Sequence, residues 1–170
     1  HGKLVRGEPK LYLEKDDGST DVVTGVDLVA RLSELRVRPR LVVLGSCQSA
    51  GTADQLAAEG YMSALGPRLA ACGIPAVVAM QGTVSMDTET LFMAAFFQQL
   101  QRDGTVDAAM SVARTAALVA RRPDWWMPVL FMRLKSGRVW YEPGFVNAGD
   151  SGFDKWRAIC AQVRKGEFVP

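Results

Sequence analysis

Histidine occurs once in the 170 residues, as His1, and cysteine occurs three times, as Cys47, Cys72 and Cys160. The cysteines are widely separated, form no Cys-x-x-Cys pair and have no neighbouring histidine, which excludes the usual zinc-site patterns. An odd number of separated thiols also argues against a disulfide framework and favours reduced cysteines. We therefore expect a cytoplasmic protein that contains no metal and needs no cofactor.

The sequence also has little net charge and no long apolar run. Lys and Arg number 20, Asp and Glu number 18, and the formal net charge is +2. The basic residues form only short clusters, whereas a nucleic-acid interface needs a longer basic stripe. No apolar run approaches the roughly 20 residues of a membrane span, and we expect no leader of the secretory type. We expect a soluble domain that binds neither nucleic acid nor membrane.

The two ends of the sequence resemble cut points. The first residue is His1 rather than methionine, and the last twenty residues pass through an acidic, Gly-containing stretch without a closing element. We expect one domain over residues 1–148, whose N-terminal strands precede His1 and are missing here, and a linker over 149–170 that leads to a following module. Flanking sensor or effector domains in the same chain are then expected partners.

Strand and helix patterns alternate along the chain. Strands are predicted at residues 40–44, 75–80 and 127–134, after a hairpin within 10–23, and helices at 26–35, 65–72, 87–102 and 106–120. This alternation predicts an α/β fold with a mainly parallel sheet, in which ligands bind at the carboxyl ends of the strands. The loops that contain Cys47 and Gln81 both follow such strand ends.

Local signals define several element ends. Thr24 and Thr105 are predicted helix N-caps, and Gly73 is a predicted helix stop. A turn at residues 136–137 leads into a further predicted strand at 139–141.

A cysteine and a histidine together predict nucleophilic catalysis. A thiol attacks as its thiolate, and imidazole is the side chain best suited to remove the proton near neutral pH. His1 must be the base of any Cys-His pair in this sequence. Cys47 follows a buried strand in a loop of Gly, Ser, Gln and Ala, small residues that admit a substrate backbone and direct amides at an oxyanion.

The same residues also have non-catalytic interpretations. Cys72 lies in an alanine-rich helix, and Cys160 lies in the terminal segment, so both are expected to be structural thiols. A cysteine at a strand end also occurs as a buried small hydrophobe, and position alone leaves both interpretations of Cys47 open. A phosphate-binding loop at residues 45–51 is a further alternative, but the required glycine spacing and the Gly-Lys-Ser/Thr ending are missing.

Five segments in order resemble the CHAT domain family of caspase-like peptidases. His1-Gly2 is similar to the His-Gly that ends a strand in that family, and residues 41–50 resemble its strand followed by a small-small-Cys-x-Ser loop. Residues 73–81 and 92–100 resemble its next strand and helix, and residues 125–130 its last strand, which contains a Trp-x-x-Pro sequence. Together the matches extend over nearly all of residues 1–135.

The resemblance implies a caspase-like three-layer α/β sandwich and hydrolysis of a peptide bond. Carried over by position, it implies that Cys47 attacks the scissile carbonyl and that His1 takes the thiol proton and later protonates the leaving amine. The backbone amides of Gly2 and Cys47 would then bind the oxyanion. Protein or peptide substrates are the implied partners.

Substrate contacts are expected from Ser46, Gln81 and Asp87. Relatives often carry an acidic residue after the second strand that suits a basic substrate side chain, but Met86 stands at that position here. The neighbouring Asp87 would provide the same preference for Arg or Lys. An acidic residue at a helix start is equally well explained by the helix dipole, and the sequence leaves both explanations open.

The predicted function is that of a cysteine endopeptidase, a regulated module of a larger bacterial protein in defence or programmed cell death. The competing hypothesis is a catalytically silent CHAT-like module that binds partners and relays signals. In that case the dyad residues are present but never aligned.

Overall fold

The computed structural model describes residues 2–5, 7–46, 48–52 and 63–140, which form two three-stranded sheets and four helices. The strands are β1 (Gly2–Val5), β2 (Glu8–Glu14), β3 (Thr20–Thr24), β4 (Leu41–Val43), β5 (Ala76–Met80) and β6 (Pro128–Met132). The helices are α1 (Gly25–Glu34), α2 (Leu65–Ala71), α3 (Met86–Asp103) and α4 (Val106–Val119). The mixed α/β class predicted from the sequence is confirmed.

β1, β2 and β3 form an antiparallel meander, here called the N-terminal sheet. β1 pairs with β2 so that Gly2 lies opposite Leu11, and β2 pairs with β3 around a polar turn. Two backbone hydrogen bonds close the turn: the Lys15 amide donates to the Ser19 carbonyl, and the Gly18 amide donates to the Lys15 carbonyl. Gly18 lies in the left-handed region at φ 77°. The predicted hairpin within residues 10–23 is therefore confirmed, and β1 extends it by one strand.

α1 begins where the N-terminal sheet ends. The hydroxyl of Thr24 accepts a hydrogen bond from the Asp27 amide at 3.1 Å, which confirms the predicted N-cap. The Glu8 carboxylate accepts a second bond, from the Val26 amide, at 3.1 Å. Two free amides of the first turn are thus satisfied by β3 and β2, and the helix is fixed onto the sheet that precedes it.

β4, β5 and β6 form the second sheet, here called the central sheet. β4 runs parallel to β5, but β6 runs antiparallel to β5. Among the described residues only this one strand pair is parallel, so the expectation of a mainly parallel sheet is not confirmed. Two helices rather than one connect β5 to β6, and the chain therefore enters β6 from the opposite end of the sheet.

β5 is the centre of the fold. All five of its residues are fully buried, as the apolar sequence predicts. Val77 and Ala79 belong to a core cluster with the apolar face of α2, and by strand alternation Ala76, Val78 and Met80 point to the other face. β4 was expected to be equally buried, but all three of its residues are only partly buried.

The core cluster connects the two sheets. Its buried members are Leu44, Ala50, Leu65, Leu69, Ile74, Val77 and Ala79. Partly buried side chains from both sheets and from α1 pack against it, among them Leu11 of β2 and Leu28 of α1. The N-terminal sheet therefore shares one hydrophobic core with the central sheet, which is what places the ends of β1 and β4 near each other.

The remaining helices begin and end near the predicted positions. Ser85 caps α3, and Gly104 ends it in the left-handed conformation at φ 69°. α4 begins after Thr105 as predicted, but the Thr105 hydroxyl makes no capping bond to the helix. The predicted strand at 139–141 is wrong where it can be compared, because the described residues show only an isolated bridge between Thr105 and Arg138; Tyr141 lies outside them.

Candidate active site

The two predicted catalytic residues, His1 and Cys47, lie outside the described residues, as does Cys160. Their chain neighbours Gly2 and Ser46 are described. The backbone and side chains on either side of the predicted dyad define the described part of the site.

Gly2 and Ser46 are in close contact. A Cβ atom added to Gly2 would lie 2.5 Å from both Cβ and Oγ of Ser46, and 3.3 Å from a methyl carbon of Leu11. Real side chains do not approach this closely, so the contact exists only because residue 2 has no side chain. The start of β1 and the loop after β4 thus meet at the two residues that flank His1 and Cys47 in sequence.

The loop after β4 is held by the loop after β5. Backbone amides of Gln48 and Ala50 donate to the carbonyls of Gly82 and Met80 at 2.7 and 2.9 Å, and the Gly82 amide donates back to Gly51 at 3.1 Å. Gln48 itself lies in the left-handed region at φ 60°, which is uncommon for a residue other than glycine. Such a conformation is sustained only when the surroundings determine it, and it is a feature often found at functional sites.

Ser49 supports the same loop from inside. Its hydroxyl is buried, accepts from the Met80 amide at 2.8 Å and donates to the Leu44 carbonyl at 3.4 Å. One side chain therefore connects the ends of β4 and β5. The backbone around residue 47 begins and ends at fixed points, a requirement for amides that stabilise developing charge.

The predicted substrate contacts fall into two groups. Ser46 and Gln81 are both partly buried and lie in the two hydrogen-bonded loops; the Gln81 amide also donates to the Met127 carbonyl at 2.9 Å. Asp87 lies in the first turn of α3, where its side chain is 71% exposed and forms an ion pair with Arg122 at 3.0 Å. The carboxylate of Asp87 is thus already matched by a cation of the chain.

Sequence reasoning missed Glu89. A Cβ atom added to Gly45 would overlap a carboxylate oxygen of Glu89, and the Met93 methyl lies nearby. Glu89 is partly buried and lies one helical turn into α3, beside the loop that leads to Cys47. The contact joins residues 44 positions apart, and no local pattern in the sequence signals it.

A buried polar cluster fixes the start of α3. The Asp124 carboxylate accepts from the Ser85 amide at 2.6 Å and from the hydroxyl of the fully buried Thr88. Burial opposes ionisation of Asp124, but these hydrogen bonds outweigh it and hold the pKa of the carboxyl below its usual value. The cluster anchors the helix that carries Asp87 and Glu89.

A groove of about 510 Å³ lies apart from these loops, between α4, β6 and the side chain of Trp125. Arg114 lines it and donates from Nε and Nη2 to the Pro128 carbonyl, and burial lowers the pKa of its guanidinium. Of the described residues that are predicted to contact substrate, none lines this groove.

The described parts of the chain contain neither a metal-binding cluster nor a membrane-crossing helix. Within those parts, no three His, Cys, Asp or Glu side chains are grouped so that they could hold a metal ion. None of the helices found there combines the length and apolar character that crossing a membrane requires.

Comparison with known proteins gives one family. The family model of the CHAT domain matches residues 1–150. No curated protein matches the chain. The matched range includes both sheets, all four described helices and the two loops that meet beside residues 2 and 46.

Proposed function

Because this chain belongs to the CHAT domain family, and so carries a caspase-like, protease-related module, we propose that it is a cysteine endopeptidase that acts through Cys47 and His1. The contact between Gly2 and Ser46 carries the proposal. Each of these residues is one peptide bond from a member of the dyad, and adjacent Cα atoms are about 3.8 Å apart. The fold therefore brings together the two chain segments that a Cys-His pair requires.

In the proposed reaction, the His1 imidazole removes the thiol proton of Cys47 and the thiolate attacks the scissile carbonyl carbon. The bond to nitrogen then breaks as His1 returns the proton to the leaving amine, which leaves an acyl-enzyme thioester. Water, deprotonated by His1, hydrolyses the thioester and releases the carboxylate product. No step needs a metal or a redox cofactor.

The amides of Gly2 and Cys47 are the proposed donors to the oxyanion. Oxyanion donors elsewhere contribute about 3 kcal/mol each to transition-state stabilisation. Two features of the described residues support fixed donors: the close packing of Gly2 against Ser46, and the hydrogen bonds that hold Gln48 and Ala50 to the loop after β5.

The proposal also covers the fold, the substrate contacts and the biological role. We place the chain in the caspase-like three-layer sandwich, with the parallel pair β4 and β5 as part of its main sheet. Ser46, Gln81 and Asp87 remain proposed substrate contacts, and residues 149–170 a proposed linker. The module would cleave a protein partner in the cytoplasm, under the control of flanking domains in a bacterial defence or cell-death pathway.

The test compares full-length wild-type protein with Cys47→Ala, His1→Ala and Cys72→Ala. Each is incubated with cellular proteins, and newly formed amino termini are labelled and mapped. We expect products that depend on Cys47 and His1 but survive Cys72→Ala. Cys72 is a matched control, because its partly buried sulfur lies 3.1 Å from the Leu69 carbonyl within a helix end.

A second readout separates an enzyme from a silent module. Alkylation of Cys47 and Cys72 by iodoacetamide is followed by mass spectrometry between pH 5 and 9. In an aligned dyad Cys47 reacts faster than Cys72 at neutral pH, and His1→Ala removes the difference. Identical cleavage products from wild type and Cys47→Ala, or a Cys47 no more reactive than Cys72, would refute the peptidase proposal.

A further inference from the structure

We infer that the groove between α4 and β6 is a second substrate-binding site, separate from the one that holds the cleaved bond. It binds a distant segment of the protein substrate that carries an Asp or Glu side chain among apolar side chains. The inference rests on the proposed peptidase function and adds the chemistry of a recognition segment to it. It is carried by the position of Arg114, a cation with no acidic partner among the described residues, in a groove with mainly apolar walls.

The size and walls of the groove suit a short polypeptide segment. Its volume of about 510 Å³ is within the usual range for a ligand site. α4 rises about 16 Å from Asp107 to Leu118, which both line the groove, and about five extended residues span that length. Leu118 is 48% exposed, so an apolar occupant would remove it from water. The apolar members of the walls are Met110, Leu118, Trp125, Val129 and Leu130.

Arg114 places a positive charge within these walls. It is partly buried, and its Nε and Nη2 groups both donate to the Pro128 carbonyl, which is uncharged. No carboxylate in the described part of the chain forms an ion pair with it, and its Nη1 group makes no hydrogen bond there. A guanidinium keeps its charge at neutral pH, so a carboxylate that enters the groove would gain a charge-assisted hydrogen bond.

The two ends of the groove carry opposite charges. Asp107 lies two turns of α4 before Arg114, about 10 Å away along the helix axis, and its carboxylate lies against Gly137. An acidic side chain is therefore attracted at the Arg114 end and repelled at the Asp107 end. This arrangement selects a segment whose acidic residue lies towards Pro128.

The Arg114 end of the groove is also the end nearest the candidate active site. Pro128, which Arg114 contacts, follows Met127, whose carbonyl accepts from the Gln81 amide at 2.9 Å. β6 is two strands from β4 in the central sheet, a distance of about 10 Å. A polypeptide attacked by Cys47 therefore reaches the groove with about three to five extended residues, which makes the substrate itself the proposed occupant.

The first experiment measures binding without catalysis. Fluorescein-labelled peptides about ten residues long, in which Leu and Phe flank one Glu, Gln or Lys, are titrated with full-length Cys47→Ala and followed by fluorescence anisotropy. The Glu peptide should bind about 10-fold more tightly than the Gln peptide, because it gains the charge-assisted bond.

Variants made in the same background assign this preference to the groove. Arg114→Gln should remove it, Arg114→Glu should favour the Lys peptide, and Arg114→Lys should keep most of it. Leu118→Ser should weaken all three peptides about equally, and because Leu118 is half exposed this variant tests the groove with little risk to folding. The matched control is Arg102→Gln, an exposed arginine at the end of α3, which should leave all three affinities unchanged.

The second experiment measures kinetics with active full-length protein. A protein substrate identified by its new amino terminus is compared with a peptide of about eight residues that contains only its cleaved bond. Arg114→Gln should raise KM about 10-fold on the protein and leave kcat within about twofold, because a contact remote from the chemistry is lost. On the short peptide kcat/KM should stay within about twofold of wild type.

Three results would overturn the inference. They are equal binding of the Glu, Gln and Lys peptides, an equal loss of kcat/KM on protein and short peptide in Arg114→Gln, and a dimer in sedimentation that Leu118→Asp converts to a monomer, since a second copy of the chain would then cover the groove. Failure of the peptidase proposal gives a different result. Cleavage would persist in Cys47→Ala, while binding that depends on Arg114 would still identify the groove as a site for acidic peptides.

Discussion

At the scale of single residues, Gly2 fixes the distance between the two halves of the site. The backbone of Gly2 is not in the left-handed region, so its conformation is compatible with alanine. What excludes alanine is the lack of space for a methyl group beside Ser46. In Gly2→Ala the new methyl group would lie 2.5 Å from Ser46 Cβ and must push β1 away from the loop. We expect a loss of about 1–3 kcal/mol in unfolding free energy from overpacking and about a 100-fold lower kcat/KM from the displaced dyad.

Urea unfolding and peptide hydrolysis measure both effects. The matched control is the double variant Gly2→Ala, Ser46→Gly, which restores the space from the other side. It should recover most of the lost stability and activity, because the two sites are in direct contact and their effects are not additive. If kcat/KM of Gly2→Ala is within twofold of the wild-type value, the contact between Gly2 and Ser46 does not determine the alignment of the dyad.

The residues of the site could be predicted from sequence only in part. The loop around Cys47 is recognisable because an apolar strand leads into small residues, and Gln81 follows the next strand in the same way. Glu89 is not recognisable, because its contact with Gly45 depends on where the fold places α3 relative to the loop after β4. Asp87 and Glu89 look equivalent in sequence, and only the structure shows that Arg122 pairs with the first.

At the scale of secondary structure, Asp124 holds the start of α3. Its carboxylate accepts from the Ser85 amide at 2.6 Å and from the Thr88 hydroxyl, and Thr88 is fully buried. We expect Asp124→Asn to lower the unfolding free energy at pH 7 by about 1–3 kcal/mol, since a charge-assisted bond is weakened.

The stability lost in Asp124→Asn should decrease as the pH falls. The pKa of Asp124 in the folded protein lies below its ordinary value of 3.8, so its ionisation favours folding above about pH 4. The contribution disappears as pH falls from 3.8 towards the lowered value. Unfolding of wild type and Asp124→Asn in urea between pH 7 and pH 3 should show a difference that shrinks in acid. A difference that stays constant over this range would contradict the role of the carboxylate.

Helices were easier to predict than strand environments. Caps and apolar periodicity are local, and Thr24, Gly73 and the bounds of α3 follow from them within one or two residues. The burial of β4 and the direction of β6 depend on neighbours distant in sequence. β4 is as uniformly apolar as β5, yet among the described strands of the central sheet only β5 has a neighbour on each side, and its residues are fully buried.

At the scale of the whole fold, the proposed dyad is divided between two sheets, with His1 preceding the N-terminal sheet and Cys47 following β4 of the central sheet. The ion pair of Arg68 and Glu8 joins the N-terminal sheet to α2. Arg68 Nη1 donates to the two Glu8 oxygens at 3.0 and 2.8 Å, and Nη2 donates to the Gly7 carbonyl at 3.2 Å. The two side chains are 19% and 29% exposed. This degree of burial makes loss of one partner costly, because the other charge is left poorly solvated.

We therefore expect Arg68→Gln to lower the unfolding free energy by about 1–3 kcal/mol and to reduce kcat with little change in KM, since the sheets shift while substrate contacts remain. Arg68→Lys should recover only part of both, because the single nitrogen of a lysine cannot bind the Glu8 carboxylate and the Gly7 carbonyl together, as the two guanidinium nitrogens do. Arg122→Gln is the matched control: its pair with Asp87 is exposed and should contribute less than about 1 kcal/mol. Equal effects on kcat from Arg68→Gln and Arg122→Gln would mean that the bridge between the sheets does not align the site.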